Sequence, residues 1–316
     1  MFKNAEGKVR SGWKIAAALG SFFVILMIVE TIFAMVLMFT VVGSADSITS
    51  LYDNLLEQMM GWSWLMSILQ TLIMTAVAVF TWKVIFKRNL SGMGLPRISK
   101  HAKELGVGLL FGAVAMTLIF ALLLATGLIK VDSWVLKPSA DTFLYVLIFI
   151  LVGIAEETFS RGYCMSVLRQ TRSVALVLIV PAVIFSLMHI SNPGYSLMAF
   201  INIAIAGLLF AYMFIKSGNI WMPIGFHITW NYFQGCVFGL STSGLGIEGL
   251  IKSEYTRYSL LGGGAFGPEE GILTTAVLAL GFLFVKWYYR KSTMDFLAME
   301  PQDINNAKDV IQSKED

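Results

Sequence analysis

The stretch that most limits what this chain can become is 143–162. Residues 143–155 are apolar without a break, and they run straight into Glu156 and Glu157, followed four residues later by Arg161. The length and apolarity read as a membrane helix. An ionised carboxylate inside a bilayer costs several kcal/mol, so two in succession require a partner, a bound proton or a wet cavity. Glu157 and Arg161 are spaced i, i+4 and can pair on one helix face. Glu156 lies about 100° around the helix from Glu157 and is free to face something else.

The rest of the chain fits a membrane setting. Of 316 residues, 57% are apolar and 14% charged, where soluble domains sit nearer 45–50% and 25%. The net charge of +3 is spread along the chain, which excludes a nucleic-acid footprint. The two cysteines, Cys164 and Cys236, are too few for a disulfide framework and are expected to be small buried thiols.

The apolar runs predict an all-α, polytopic membrane protein of about eight transmembrane helices. The spans are expected near 15–42, 62–86, 105–129, 142–160, 173–190, 197–215, 221–240 and 271–289. The first run is too long for a signal peptide. Glu30 interrupts it and is expected to contact a neighbouring helix. Residues 44–61, with Asp46, Asp53 and Glu57, read as a loop. The basic linker 87–104 reads as lying against a lipid surface. Residues 161–172, with Arg161, Arg169 and Arg172, read as amphipathic. Pro181 suggests a kink, and Asn192-Pro193-Gly194 a turn.

This division gives a two-span N-terminal region with its basic linker (1–104) and a six-span region (105–291) holding the catalytic core at about 142–240. A polar cytoplasmic tail (292–316), disordered or loosely helical, follows. With the N-terminus in the cytoplasm, 17 of the 23 lysines and arginines fall at cytoplasmic ends. Four fall on the opposite side (Lys130, Lys137, Lys252 and Arg257), and both termini are then cytoplasmic.

The chain has three histidines. His101 sits in the basic linker and reads as a surface residue. His189 lies near the end of the fifth span, in Phe185-x-x-x-His189. His227 and Asn231 share a face of the seventh, at i and i+4. Ionisable side chains inside spans are functional candidates. Glu156, His189, His227 and Asn231, supported by Glu157 and Arg161, suit hydrolysis. A desolvated glutamate can act as general base on water, an imidazole can share that work, and an amide can donate to an oxyanion. Glu156, His189 and His227 would equally make a zinc site with water in the fourth place. The chain has no H-E-x-x-H helix, so such a metal would be held from three separate helices. By a count of about 1.5 Å per residue, Glu156 and His227 share a depth in the bilayer, whereas His189 falls nearer the opposite face.

Three ordered elements, Glu156-Glu157-x-x-x-Arg161, Phe185-x-x-x-His189 and His227-x-x-x-Asn231, resemble the motifs of the CPBP family, the CAAX proteases and bacteriocin-processing proteins, also called Abi. The run 156–163 is similar to the family's EExxFRG-type run, with Ser160 where an aromatic is common. The approach 219–227 also resembles the family's. The resemblance covers about 142–240. It implies an intramembrane endopeptidase acting on a membrane-associated or lipophilic peptide, of CAAX or peptide-maturation type, with membrane lipid as its surroundings. It implies that Glu156 activates water with help from His189, that His227 and Asn231 stabilise the oxyanion, and that Glu157 and Arg161 orient the site. A divalent metal, zinc, stays open as a cofactor. A non-enzymatic immunity or scaffold protein and a proton- or metal-coupled transporter are the rival readings, although the repeats common in transporters are absent from the sequence. The Gly- and Ser-rich segment 241–270 is expected to serve as a lid or substrate guide.

Overall fold

The computed structural model describes residues 2–4, 6–42, 47–135, 138 and 140–298. Its helices follow the apolar runs. They are α1 (Ser11–Val41), α2 (Ile48–Gly61), α3 (Ser63–Phe80), α4 (Ala102–Ala125), α5 (Ala140–Glu157), α6 (Ser166–Leu168), α7 (Val174–Leu187), α8 (Leu197–Ser217), α9 (Trp221–Tyr232) and α10 (Ile272–Tyr288). Three of them widen into π-helix at their C-terminal ends: α3 over Thr81–Ile85, α5 over Thr158–Met165 and α9 over Phe233–Val237. Five stretches are long and apolar enough to cross a membrane, namely Ser11–Val41, Ser63–Ile85, Ala102–Ala125, Thr142–Thr171 and Leu197–Ser217. Val174–Leu187 and Ile272–Tyr288 are shorter apolar helices. The protein is thus a helical, polytopic integral membrane protein.

Several local expectations need correction. Residues 48–61 form a helix, not a loop. Ser47 caps it, accepting from the Ser50 N–H while the Ser50 hydroxyl accepts from the Ser47 N–H. Such a reciprocal cap satisfies orphan donors of the first turn. Residues 161–168 are buried on every side and so are not amphipathic. Arg161 has no exposed surface, and Arg169 is 6% exposed. The linker after α3 is not a surface strap, because Met93 is fully buried and the Gly94 carbonyl accepts from the Ile220 N–H. Glu30 is exposed on α1, and among the described residues no hydrogen bond or ion pair ties it to another helix. Of the tail, residues from 299 onward lie outside the described residues, as do 43–46 at the start of the expected loop. Phe296 is buried against Phe214, so the first residues after α10 pack rather than trail.

One element has no counterpart in the helical reading. β1 (Ile129–Trp134) pairs antiparallel with β2 (Ile251–Tyr255), Lys130 opposite Glu254, with a bulge between Val131 and Ser133. Two exposed ion pairs flank the ribbon, Lys130–Glu254 at 3.2 Å and Lys252–Asp132 at 3.4 Å. The ribbon joins the chain after α4 to the long segment before α10.

Two apolar clusters organise the interior. One gathers α4, α8, α9 and α10 around Met116, Ile119, Leu209, Met213, Phe226 and Leu278. The other joins α1 and α3 to the α5 stretch through Phe22, Met74, Trp82, Ala155, Phe159 and Tyr163. Between them α4 and α9 meet backbone to backbone. A Cβ at Gly112 would run into the Phe226 carbonyl, and one at Gly225 into the α4 backbone at Leu105 and Leu109. The Thr229 hydroxyl donates to the Leu109 carbonyl across this seam, at 2.7 Å. Small residues let membrane helices approach this closely, and the seam fixes α9, which carries His227 and Asn231.

Candidate active site

Glu156 and Glu157 are the last residues of α5 before its π-helical widening. π-segments cluster at functional sites, and this one carries the buried Arg161. Glu157 Oε1 accepts from Arg161 Nη1 at 2.9 Å and from His227 Nδ1 at 3.0 Å, and both Glu157 and Arg161 are completely buried. Arg161 Nη2 donates to the Gly207 carbonyl of α8 at 3.2 Å. Its guanidinium lies over the rings of Phe185 and Phe210, 4.3 and 4.9 Å from their centroids, a favourable placement for a desolvated cation.

The same two rings hold His227. Its imidazole stacks on Phe210 at 5.5 Å and meets Phe185 edge-on at 5.9 Å. A carboxylate paired to arginine only accepts, so His227 Nδ1 carries the proton donated to Glu157. In the neutral ring the other nitrogen, Nε2, is then the acceptor. Nε2 lies 3.8 Å from Glu156 Oε2, and that oxygen is buried without a hydrogen-bond partner among the described residues. Glu156 thus points away from the Glu157–Arg161 pair, as the 100° offset requires, and towards His227.

His189 is in the turn that follows α7, with its Nδ1 donating to the Phe185 carbonyl at 2.8 Å. It lines one cavity with His227 and Asn231. The structure thus brings His189 to His227 despite the different depths counted from the sequence, and His189 lies in the turn just past α7, which ends at Leu187. The cavity measures about 40 Å³, room for a few waters at about 10–15 Å³ each. His101 takes no part; it is half-buried at the start of α4, 3.3 Å from Asn219. Both cysteines are free and buried, as expected.

For a metal the fit is poor. Among the described residues, no three His, Cys, Asp or Glu side chains gather so as to hold an ion. The expected ligand set Glu156, His189 and His227 is not assembled among the described residues.

Two residues of the site escape the sequence reading. Phe210 clamps both Arg161 and His227, yet in an apolar span it carries no signal. Glu269, just ahead of α10, lines the same cavity. Glu269 Oε2 accepts from Gln234 Nε2 at 2.6 Å and the Ser243 N–H at 3.1 Å, and Oε1 accepts from the Ser243 hydroxyl at 3.0 Å. The Ser243 carbonyl accepts in turn from Asn192, in the turn after His189. Glu269 therefore fixes the segment after α9 against the turn bearing His189. A carboxylate in a long run of apolar and glycine residues was the available signal.

Burial pushes the Glu269 carboxyl up to about 7 from an ordinary 4.5, against the opposing pull of its hydrogen bonds. Between these values the folded chain keeps a proton that the unfolded chain releases, so stability falls as pH rises through that window. Glu269→Gln keeps the shape of the network, its amide donating to the Ser243 hydroxyl where the carboxylate accepted. Thermal unfolding in detergent from pH 4 to 8 is expected to show a flatter profile for Glu269→Gln than for wild type. Parallel profiles would show that Glu269 does not set this dependence.

Residues 138–233 match the family model of type II CAAX prenyl endopeptidase Rce1-like proteins. No curated protein and no solved structure matches the chain. The matched segment contains Glu156, Glu157, Arg161, His189, His227 and Asn231, and ends before Glu269. On that match, residues 138–233 of this membrane protein are similar to the CAAX-type endopeptidases of the CPBP family.

Proposed function

We propose that the chain is an intramembrane endopeptidase that hydrolyses a peptide bond of a membrane-associated or lipophilic peptide, with Glu156 activating the attacking water. The observation that carries this reading is the alignment Glu157–His227–Glu156. Glu157 holds His227 Nδ1 at 3.0 Å, which leaves Nε2 facing Glu156 Oε2 at 3.8 Å. That separation is too long for a direct hydrogen bond, and we place between the two a water that donates one hydrogen to each. Such a water has its lone pairs directed away from both groups, towards an incoming carbonyl carbon.

In this mechanism the ionised Glu156 takes the proton as the water oxygen bonds to the scissile carbon. The Asn231 amide donates to the oxyanion that forms. Collapse of the tetrahedral intermediate breaks the C–N bond, and the proton passes to the departing amine. His189, with Nδ1–H committed to the Phe185 carbonyl, offers Nε2 for that transfer. His227 is assigned to the water rather than to the oxyanion, since its neutral ring has no donor at Nε2.

The test is cleavage by the full-length protein in liposomes. The substrates are a farnesylated peptide with a C-terminal CAAX sequence and unlipidated hydrophobic peptides, with products identified by mass spectrometry. Wild type is expected to release a defined fragment that His227→Ala does not. Bound metal is quantified on the same samples, and substoichiometric metal is expected in active wild type. Equal cleavage by His227→Ala would remove the alignment from the mechanism. Peptide binding without cleavage by wild type would favour the immunity or scaffold reading.

A further inference from the structure

Away from the catalytic cavity, three basic segments meet in a second cleft. The N-terminal arm brings Lys8 and the first turn of α1 brings Lys14. The residues after α3 bring Arg88, and the end of the α5–α6 stretch brings Arg169 and Arg172. One carboxylate, Glu6, lines the cleft with these five cations, and it is already joined to Lys8 at 3.1 Å. The cleft measures about 200 Å³, many times the roughly 10–15 Å³ that one water requires.

Several of these cations are held in place. Lys14 Nζ donates to Gln170 Oε1 at 3.1 Å and sits 5.2 Å from the centre of the Phe86 ring. Arg88 stacks over Trp82 at 5.4 Å. Arg169, on the buried side of the cleft, bonds to the Gly92 carbonyl and lies over Phe296 at 4.9 Å. An ordinary solvated basic face would spread its charges apart. Here fixed like charges share one concave space, an arrangement that lowers its energy by taking up an anion. The guanidinium groups favour the oxygens of a phosphate.

We propose that this cleft is a binding site for a phosphate-bearing anion, with the headgroup of an acidic phospholipid as its source. Lys14, Arg88 and Arg169 stand at the ends of membrane-length helical stretches, the level at which headgroups lie. Phe86 and Leu297 give the cleft an apolar flank beside its charges, suited to the first carbons of a lipid. All five cations come from segments that the charge bias assigns to the cytoplasmic side, where basic pockets between helices take anionic headgroups. The site is independent of the proteolytic reading and would stand without it.

The experiment is thermal unfolding of the full-length protein in a neutral detergent. The added probes are phosphatidylglycerol, phosphatidylcholine or inorganic phosphate, and native mass spectrometry counts bound lipid. Phosphatidylglycerol is expected to raise the midpoint by several degrees and phosphatidylcholine to leave it unchanged. The double variant Arg88→Gln/Arg172→Gln is expected to bind phosphatidylglycerol at least fivefold more weakly. Lys8→Gln, at an exposed position, gives a milder loss should the double variant fold poorly. Lys83→Gln, exposed outside the cleft, should behave as wild type. The same stabilisation by inorganic phosphate alone would support the anion site and reassign its source to a soluble phosphate. Stabilisation undiminished in both cleft variants, or equal with phosphatidylcholine, would overturn the proposal.

Discussion

Glu156→Gln is expected to lower kcat about 10²- to 10⁴-fold, the usual contribution of a general base, with KM nearly unchanged. The substitution keeps the shape of the side chain and removes its ability to accept the proton of water. It should also leave the fold intact. Glu156 makes no hydrogen bond among the described residues, and its Oε2 lies 3.8 Å from His227 Nε2. The thermal midpoint in detergent and the cleavage rate, measured on one preparation, separate the two effects. A normal midpoint with lost cleavage fits a base. A rate within threefold of wild type would end the assignment.

Arg161→Leu is expected to act through the fold instead. The guanidinium is completely buried, bonded to Glu157 and to the Gly207 carbonyl, and clamped between Phe185 and Phe210. Removing one partner of a buried ion pair costs about 3–5 kcal/mol, because the other charge is left without compensation. The single variant should unfold at a much lower temperature or aggregate on extraction. Glu157→Gln/Arg161→Leu, which removes both charges, should recover a large part of that loss while staying inactive, since the carboxylate that orients His227 is gone. A single variant as stable as wild type would show that the pair does not hold α5, α8 and α9 together.

Long apolar runs made the helices legible, because a chain in hydrocarbon must satisfy its backbone within each segment. The polar members of the site were legible for the same reason, since ionisable groups in such segments are costly. What the sequence concealed depended on distant partners. The strand 129–134 carries no pattern of its own strong enough to overrule its neighbours, and it becomes a strand only beside 251–255. The charges in 44–61 suggested a loop, and the helix there turns on the reciprocal Ser47–Ser50 cap. Arg161 and Arg169 looked like a polar face because arginine usually is one. The i, i+4 spacing announced the Glu157 partner of Arg161, but the burial of the two arginines also depends on Gly92 and three phenylalanines too far along the chain to advertise it. Glu269 stands outside any motif, and only the folded cavity puts it beside His189.

The glycine seam between α4 and α9 bears on how a peptide could ever arrive. A space that admits a few waters has to widen before it takes a chain, so some wall must yield. The wall made by α9 is the least able to do so, because its backbone touches that of α4 at Gly108, Gly112 and Gly225, where no side chain lies between the two helices to repack. The opposite wall, made of the turn after α7 and the stretch around Ser243 and Glu269, is joined by hydrogen bonds that water can replace. His227 and Asn231 ride on the fixed side with α9, whereas His189 belongs to the wall that would open, so widening the space for a chain would carry His189 away from the other two and closing would bring it back.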